Sequence, residues 1–204
     1  AAPGRVTVTA GGQPITIAAP AGFCVDSRST SVTSTGAFVL LGDCVLLDKE
    51  APAVPRPTVG AALTASVSSG GLGDGGPATQ SLADLERYVR TPRGRAMVGR
   101  GGDPDRVRIL ATETRAGVLY VLVEDRGAQP IVGADPRFWR GFLEVNGRLL
   151  GISEFGFDET RRDLRESFVL LVGFADAIQR ANLPRPGPTP TPAGNVAAPR
   201  APAG

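Results

Sequence analysis

The sequence predicts an α+β fold: an antiparallel β-sheet of hairpins covered by a C-terminal helix and a mid-chain helix pair. Three observations carry that expectation. Alternating apolar segments recur in pairs around turn signals, the clearest being Asn146-Gly147, the strongest short-range hairpin signal when it separates two alternating runs. Ser81 and Thr91 each open a short helical pattern, giving two helices in tandem. Leu164, Phe168, Leu171, Val172, Ala175 and Ile178 fall on one helical stripe near the end of the chain.

The elements follow in order. Val6 and Val8 precede a Gly11-Gly12-Gln13-Pro14 turn and Ile15 and Ile17 follow it, which reads as a hairpin ended by Pro20-Ala21-Gly22. Ser27 to Thr35 is Ser/Thr-rich without apolar periodicity and reads as a loop. Ala37 to Leu47 is apolar and β-branched, the pattern of a buried strand carrying Cys44. Prolines 52, 55 and 57 interrupt the chain before a strand over Ala62 to Val67. Ser81 with Asp84 forms a capping box for a helix to about Arg90, and Thr91-Pro92 caps a second helix that stops at Gly99. Strands follow at Val107 to Thr114 and Val118 to Glu124, about a turn at Ala116-Gly117, then at Trp139 to Val145 and Arg148 to Phe157. In this last pair Trp139, Leu143, Val145, Leu150 and Ile152 share one face, while Arg140, Glu144 and Ser153 point the other way, so one face packs on the core. The final helix ends at Asn182 and Pro184.

The domain organisation expected is one exported α+β domain over 1–183 and a disordered Pro/Ala-rich tail over 184–204, whose composition cannot repay the entropy of ordering. With 204 residues and 42% hydrophobic content, the chain is long enough to bury a core. Its net charge is only +2, and the basic residues, all arginine except Lys49, are interspersed with acids, which argues against nucleic acid as partner. No apolar run reaches the ~18 residues that span a bilayer. The chain starts Ala1-Ala2-Pro3 without an initiator Met, as after signal-peptide removal behind a small-residue site, though a trimmed chain would look the same. Periplasmic or secreted localisation is the expectation. Cys24 and Cys44 sit in extended, partly apolar surroundings where neighbouring strands can bring them together. A disulfide between them would close a loop of about 21 residues and stabilise by ~3 kcal/mol through the unfolded chain. Two buried free thiols in a reducing compartment are the alternative.

Much catalytic chemistry is excluded. The chain has no histidine, which removes Ser-His-Asp and Cys-His arrangements and imidazole metal sites. Bonded cysteines would also remove thiolate nucleophiles and ligands, and Lys49 lacks an SxxK context. Gly71-Leu72-Gly73-Asp74-Gly75-Gly76 matches GxGxxG formally, but Pro77 to Gln80 separate it from the helix and no acid follows at the spacing a ribose needs, so it reads as a plain loop. Asp74 as a calcium ligand is the lesser alternative. Glu113, Glu124, Asp125, Glu144 and Glu154 lie on or near strands, where two could face each other as a hydrolase's carboxylate pair or, more simply, form solvated ion pairs with arginines. Phe138, Trp139 and Phe142 form the one dense aromatic cluster, read first as core and second as an interaction surface. No catalytic, cofactor-binding or metal-binding residue is assigned, and no cofactor is expected.

The element order through Pro20-Ala21-Gly22-Phe23, with the strings Thr91-Pro92-Arg93-Gly94-Arg95-Ala96 and Phe138-Trp139-Arg140-Gly141-Phe142-Leu143-Glu144-Val145-Asn146-Gly147-Arg148-Leu149, resembles a group of uncharacterised exported bacterial proteins with a PsbP-like layout. The likeness spans most of residues 5–183. It implies an α/β/α sandwich around an antiparallel sheet and the habit of an accessory or binding module. It carries over no catalytic motif, and the chain departs from it in its cysteine pair and its long Ser/Thr-rich connection. The functional expectation is a non-catalytic exported module acting on a protein assembly or envelope component. The alternatives are a hydrolase using a carboxylate pair, and a small-ligand binder with the glycine-rich loop as a lid.

Overall fold

The computed structural model describes residues 2–47, 60–74, 80–127, 135–156 and 163–184. Strands β1 (Arg5–Ala10) and β2 (Gln13–Ala18) pair through Gly11 and Gly12 as a separate hairpin. The remaining strands are β3 (Phe23–Thr33), β4 (Gly36–Asp43), β5 (Ala61–Ser68), β6 (Val107–Arg115), β7 (Val118–Asp125), β8 (Arg137–Val145) and β9 (Arg148–Gly156). They form one antiparallel sheet in the order β3-β4-β5-β9-β8-β7-β6. Four α-helical segments join them: α1 (Cys44–Leu47), α2 (Leu82–Tyr88), α3 (Pro92–Val98) and α4 (Leu164–Ala181). The fold is thus α+β, as the sequence predicts, with hairpin pairs β6-β7 and β8-β9 where the turn residues place them. Asn146 and Gly147 take φ of 50° and 69°, the left-handed pair that matches a tight hairpin to strand twist.

Two cores sandwich the sheet. On one side, which we call the hairpin face, Val8, Ala10, Ile15 and Ile17 of the β1-β2 hairpin and Leu171, Phe174, Ala175 and Ile178 of α4 pack on Leu41, Leu63, Ala65, Leu143, Leu150 and Ile152. Asn182 ties helix to hairpin: its Oδ1 accepts from the Thr16 amide at 2.9 Å and its Nδ2 donates to the Thr16 carbonyl at 2.7 Å. On the other side, the helix-pair face, Leu85 and Val89 beside α2 and Val98 of α3 pack on Val121, Val123, Phe138 and Phe142. The face of the β8-β9 hairpin that carries Trp139, Leu143, Val145, Leu150 and Ile152 packs on the core as expected. Phe138 and Phe142 of the opposite face are buried as well, because α2 and α3 lie opposite α4.

The capping signals act as read. Ser81 Oγ accepts from the Asp84 amide and Thr91 Oγ1 from the Gly94 amide, both at 3.1 Å, although α2 stops at Tyr88 and not Arg90. Two other expectations are overturned. Ser27 to Thr35 is not a loop: β3 runs to Thr33, with an irregularity between Asp26 and Ser31. There Asp26 accepts from the Arg28 amide and from Ser29 Oγ at 3.0 and 2.7 Å, so polar side chains fold the extra residues back onto the strand. The strand expected from Ala37 to Leu47 ends at Asp43, whose Oδ1 takes the Val45 amide at 2.8 Å and starts the helical turn α1. Phe157 and the tail from 185 onward lie outside the described residues.

Candidate functional site

Cys24 and Cys44 are bonded, with Cα atoms 4.8 Å apart. The register sets Cys24 opposite Gly42, two residues before Cys44, so the bridge staples α1 across β3. Beside it lies a cleft of about 300 Å³ lined by Ala2, Pro3, Val25, Asp26, Arg28 and Leu47 among others. The Asp26 carboxyl is held below its ordinary value, chiefly by the Ser29 hydroxyl and then by the Arg28 amide.

The aromatic trio is divided between the two faces. Phe138 and Phe142 are buried in the helix-pair core. Trp139 packs on the hairpin-face core, its ring 4.6 Å from Phe168 and its Nε1 donating to the Leu164 carbonyl at 3.0 Å. Strand alternation separates neighbours in sequence in this way, and core packing is the role the three side chains take. As a joint interaction surface the three are not brought together.

The five acids are likewise dispersed. Asp125 follows Val121 and Val123 onto the helix-pair face, where its Oδ2 accepts from the Arg100 and Gly101 amides at 2.7 and 3.3 Å and its Oδ1 from the Gly127 amide at 2.8 Å. Glu144 accepts from the Leu72 amide at 2.6 Å. Glu113 stands opposite Tyr120 and Glu154 opposite Leu63, which places both on the hairpin face, as alternation does Glu124. Glu124 Oε2 pairs with Arg126 Nε at 3.1 Å. The described part of the glycine-rich loop is fastened down: besides the Leu72 bond, the Leu149 amide donates to the Gly70 carbonyl at 2.8 Å and Asp74 Oδ2 takes the Gly71 amide at 2.7 Å. Leu72 packs against the helix-pair core, so this half of the loop is wall and not lid. Among the described residues no three His, Cys, Asp or Glu side chains gather as a metal site.

A different constellation, built on arginines and hydroxyls, occupies the helix-pair face. In β8 Arg140 stands directly opposite Ser153 of β9, and Ser153 stands opposite Thr64 of β5, so three polar side chains form one row across three strands. Cross-strand partners have Cβ atoms ~5 Å apart. Ser153 is only 5% exposed and Thr64 9%. Neither hydroxyl is sealed from solvent as Arg140 Nε is. Arg140 Nε is enclosed with no partner, while its Nη1 only grazes the Met97 carbonyl at 3.5 Å. One residue pair further along the strands, the Arg100 guanidinium lies over Phe138 at 3.7 Å and Phe155 at 4.5 Å, and its Nη1 donates to the Asp135 carbonyl at 2.8 Å. Burial pushes both guanidiniums down to about 10, and for Arg100 the neighbouring Arg140 charge adds to the effect. They remain cations at neutral pH. A buried donor without an acceptor costs about 1–3 kcal/mol, so Arg140 Nε marks a place where folding has left hydrogen-bonding capacity unspent.

Sequence reading treated Arg140 and Ser153 as the polar side of a hairpin and gave no weight to Arg100 or Thr64. The available signal was an arginine inside the apolar run Phe138 to Val145. It became meaningful only once helices covered that face.

No protein-family model matches the chain, and no curated protein matches it. Among solved structures it is similar to the solution structure of cyanobacterial PsbP (CyanoP) from Synechocystis sp. PCC 6803, at 15% identity and a TM-score of 0.41, over 85% of this chain and 89% of that one. The chain's own layout is a large antiparallel sheet with helices packed on both faces.

Proposed function

We propose that this chain is a non-catalytic exported accessory module that binds a protein assembly or an envelope component. One observation carries the reading: three of the five candidate acids are engaged in holding the fold. Asp125 gathers three loop amides, Glu144 anchors the glycine-rich segment, and Glu124 is paired with Arg126. A hydrolase's carboxylate pair would need two acids ~5 to 9.5 Å apart in one cleft. The two most deeply buried, Asp125 and Glu154, project from opposite faces of the sheet. The disulfide supports an oxidising compartment.

Contact surface is available at the sheet margins. Val32 is 55% exposed and Phe38 38% at the β3-β4 end, and Leu110 bulges from the edge strand β6 at 43% exposure. Mild crosslinking in the native envelope followed by affinity capture tests the reading. A stoichiometric partner is expected, lost when Val32 and Phe38 are both changed to Ser. Repeated recovery of the chain alone would refute it.

A further inference from the structure

We propose that the row Arg140–Ser153–Thr64 holds an oxyanion, the carboxylate or phosphate group of a small ligand, on the helix-pair face of the sheet. The inference follows from which hydrogen-bonding groups are left over. Arg140 offers a donor and no acceptor at its enclosed Nε. Beside it in register are the hydroxyls of two largely buried residues, each able to donate to a group seated in the row. A donor-rich and acceptor-poor row fits a ligand group that only accepts, and it disfavours amides, amines and cations. The rings of Phe138 and Phe155 lie on the same face and carry the Arg100 guanidinium over them, which holds a second cation beside the row.

Charge points the same way. Asp125 is the acid whose charge acts on Arg140, and it also acts on Arg100. Its carboxylate oxygens are turned to the Arg100, Gly101 and Gly127 amides, so it does not supply the acceptor that Arg140 Nε needs. A bound anion would provide that acceptor to Arg140 through a charge-assisted hydrogen bond. Arginine suits the task because its planar fork presents two parallel donors to a carboxylate or phosphate edge. The hydroxyls add selectivity, since each would be left without an acceptor if the anion were replaced by an apolar group.

This site goes beyond the module reading. Recovery of a partner by crosslinking decides that reading and leaves the oxyanion row untouched. The test is titration of the full chain with inorganic phosphate, sulfate and acetate at constant ionic strength held by chloride. It is read by the ¹H–¹⁵N resonance of Arg140 Nε and by the thermal midpoint. Saturable movement of that resonance with at least one oxyanion is expected, and a preference for acetate over phosphate would mark a carboxylate ligand, the reverse a phosphate. Ser153→Ala and Thr64→Val, which remove a hydroxyl with little change of volume, should each weaken binding by about 5-fold to 30-fold at an unchanged midpoint without anion. Arg140→Gln should abolish it. Equal response to chloride, or wild-type binding in both hydroxyl variants, would overturn the proposal and leave a bridging water as what the row holds.

Discussion

Replacing Asp125 with Ala should be among the most damaging single changes in the chain. The side chain is 1% exposed and accepts from three amides: Arg100 at 2.7 Å, Gly127 at 2.8 Å and Gly101 at 3.3 Å. These bonds clamp the segment after α3 and the segment after β7 to one carboxylate, and they bring Arg100 to Phe138. Hydrogen bonds to a charged group contribute about 1.5–3 kcal/mol each. Counting the two short ones and leaving out the third, because loop amides can turn toward water, gives a loss of ~3–6 kcal/mol. At ~2–4 °C per kcal/mol for a chain of this size, the thermal midpoint should fall by about 6–24 °C. Asp125→Asn keeps one acceptor oxygen and so should cost roughly half as much. Urea denaturation at neutral pH measures both variants, and amide exchange at Gly101 and Gly127 reports the clamp locally. A loss below ~1 kcal/mol for Ala, or an Asn variant no better than Ala, would refute the clamp.

Three further outcomes are expected. Reducing the Cys24–Cys44 bridge, or replacing both cysteines with Ala, should lower stability by ~3 kcal/mol at a sequence separation of 20, measured as a shift in urea midpoint; an unchanged midpoint would mean that the bridge constrains nothing. Gly94→Ala should unfold α3 from the sheet, because a Cβ there would lie 1.9 Å from the Tyr88 carbonyl oxygen and 2.6 Å from Val89 Cα, both main-chain atoms that cannot yield. A soluble variant with native near-ultraviolet circular dichroism would contradict this. The Asp26 carboxyl, depressed below 3.8, contributes to the irregularity in β3 fully above 3.8, and the contribution is lost as pH falls through its lower folded value; an NMR titration midpoint at or above 3.8 would count against the Ser29 and Arg28 bonds.

Local chemistry was legible wherever the chain's neighbours in sequence are also its neighbours in space. Asn146-Gly147 dictates a hairpin because few other residues tolerate two left-handed positions, and Ser81 and Thr91 dictate helix starts because their oxygens satisfy nearby amides. The largest error has a different origin. Ser27 to Thr33 lacks apolar periodicity because β3 is an edge strand, paired on one side by β4, so its identity rests on backbone bonds that side-chain patterning does not record.

The sequence by itself determined the α+β class, the main hairpin and helix order and the absence of imidazole chemistry, because each depends on residue identity or on spacing within one element, while the Cys24–Cys44 bond was decided by the β3–β4 register. The sequence could pair Arg140 with Ser153 across one hairpin, but only the tertiary structure set β5 beside β9, which extends that row to Thr64 from a distant part of the chain. A side chain's hydrogen-bonding value depends on whether water can still reach it. Burial makes that decision, and burial is a property of the packed molecule.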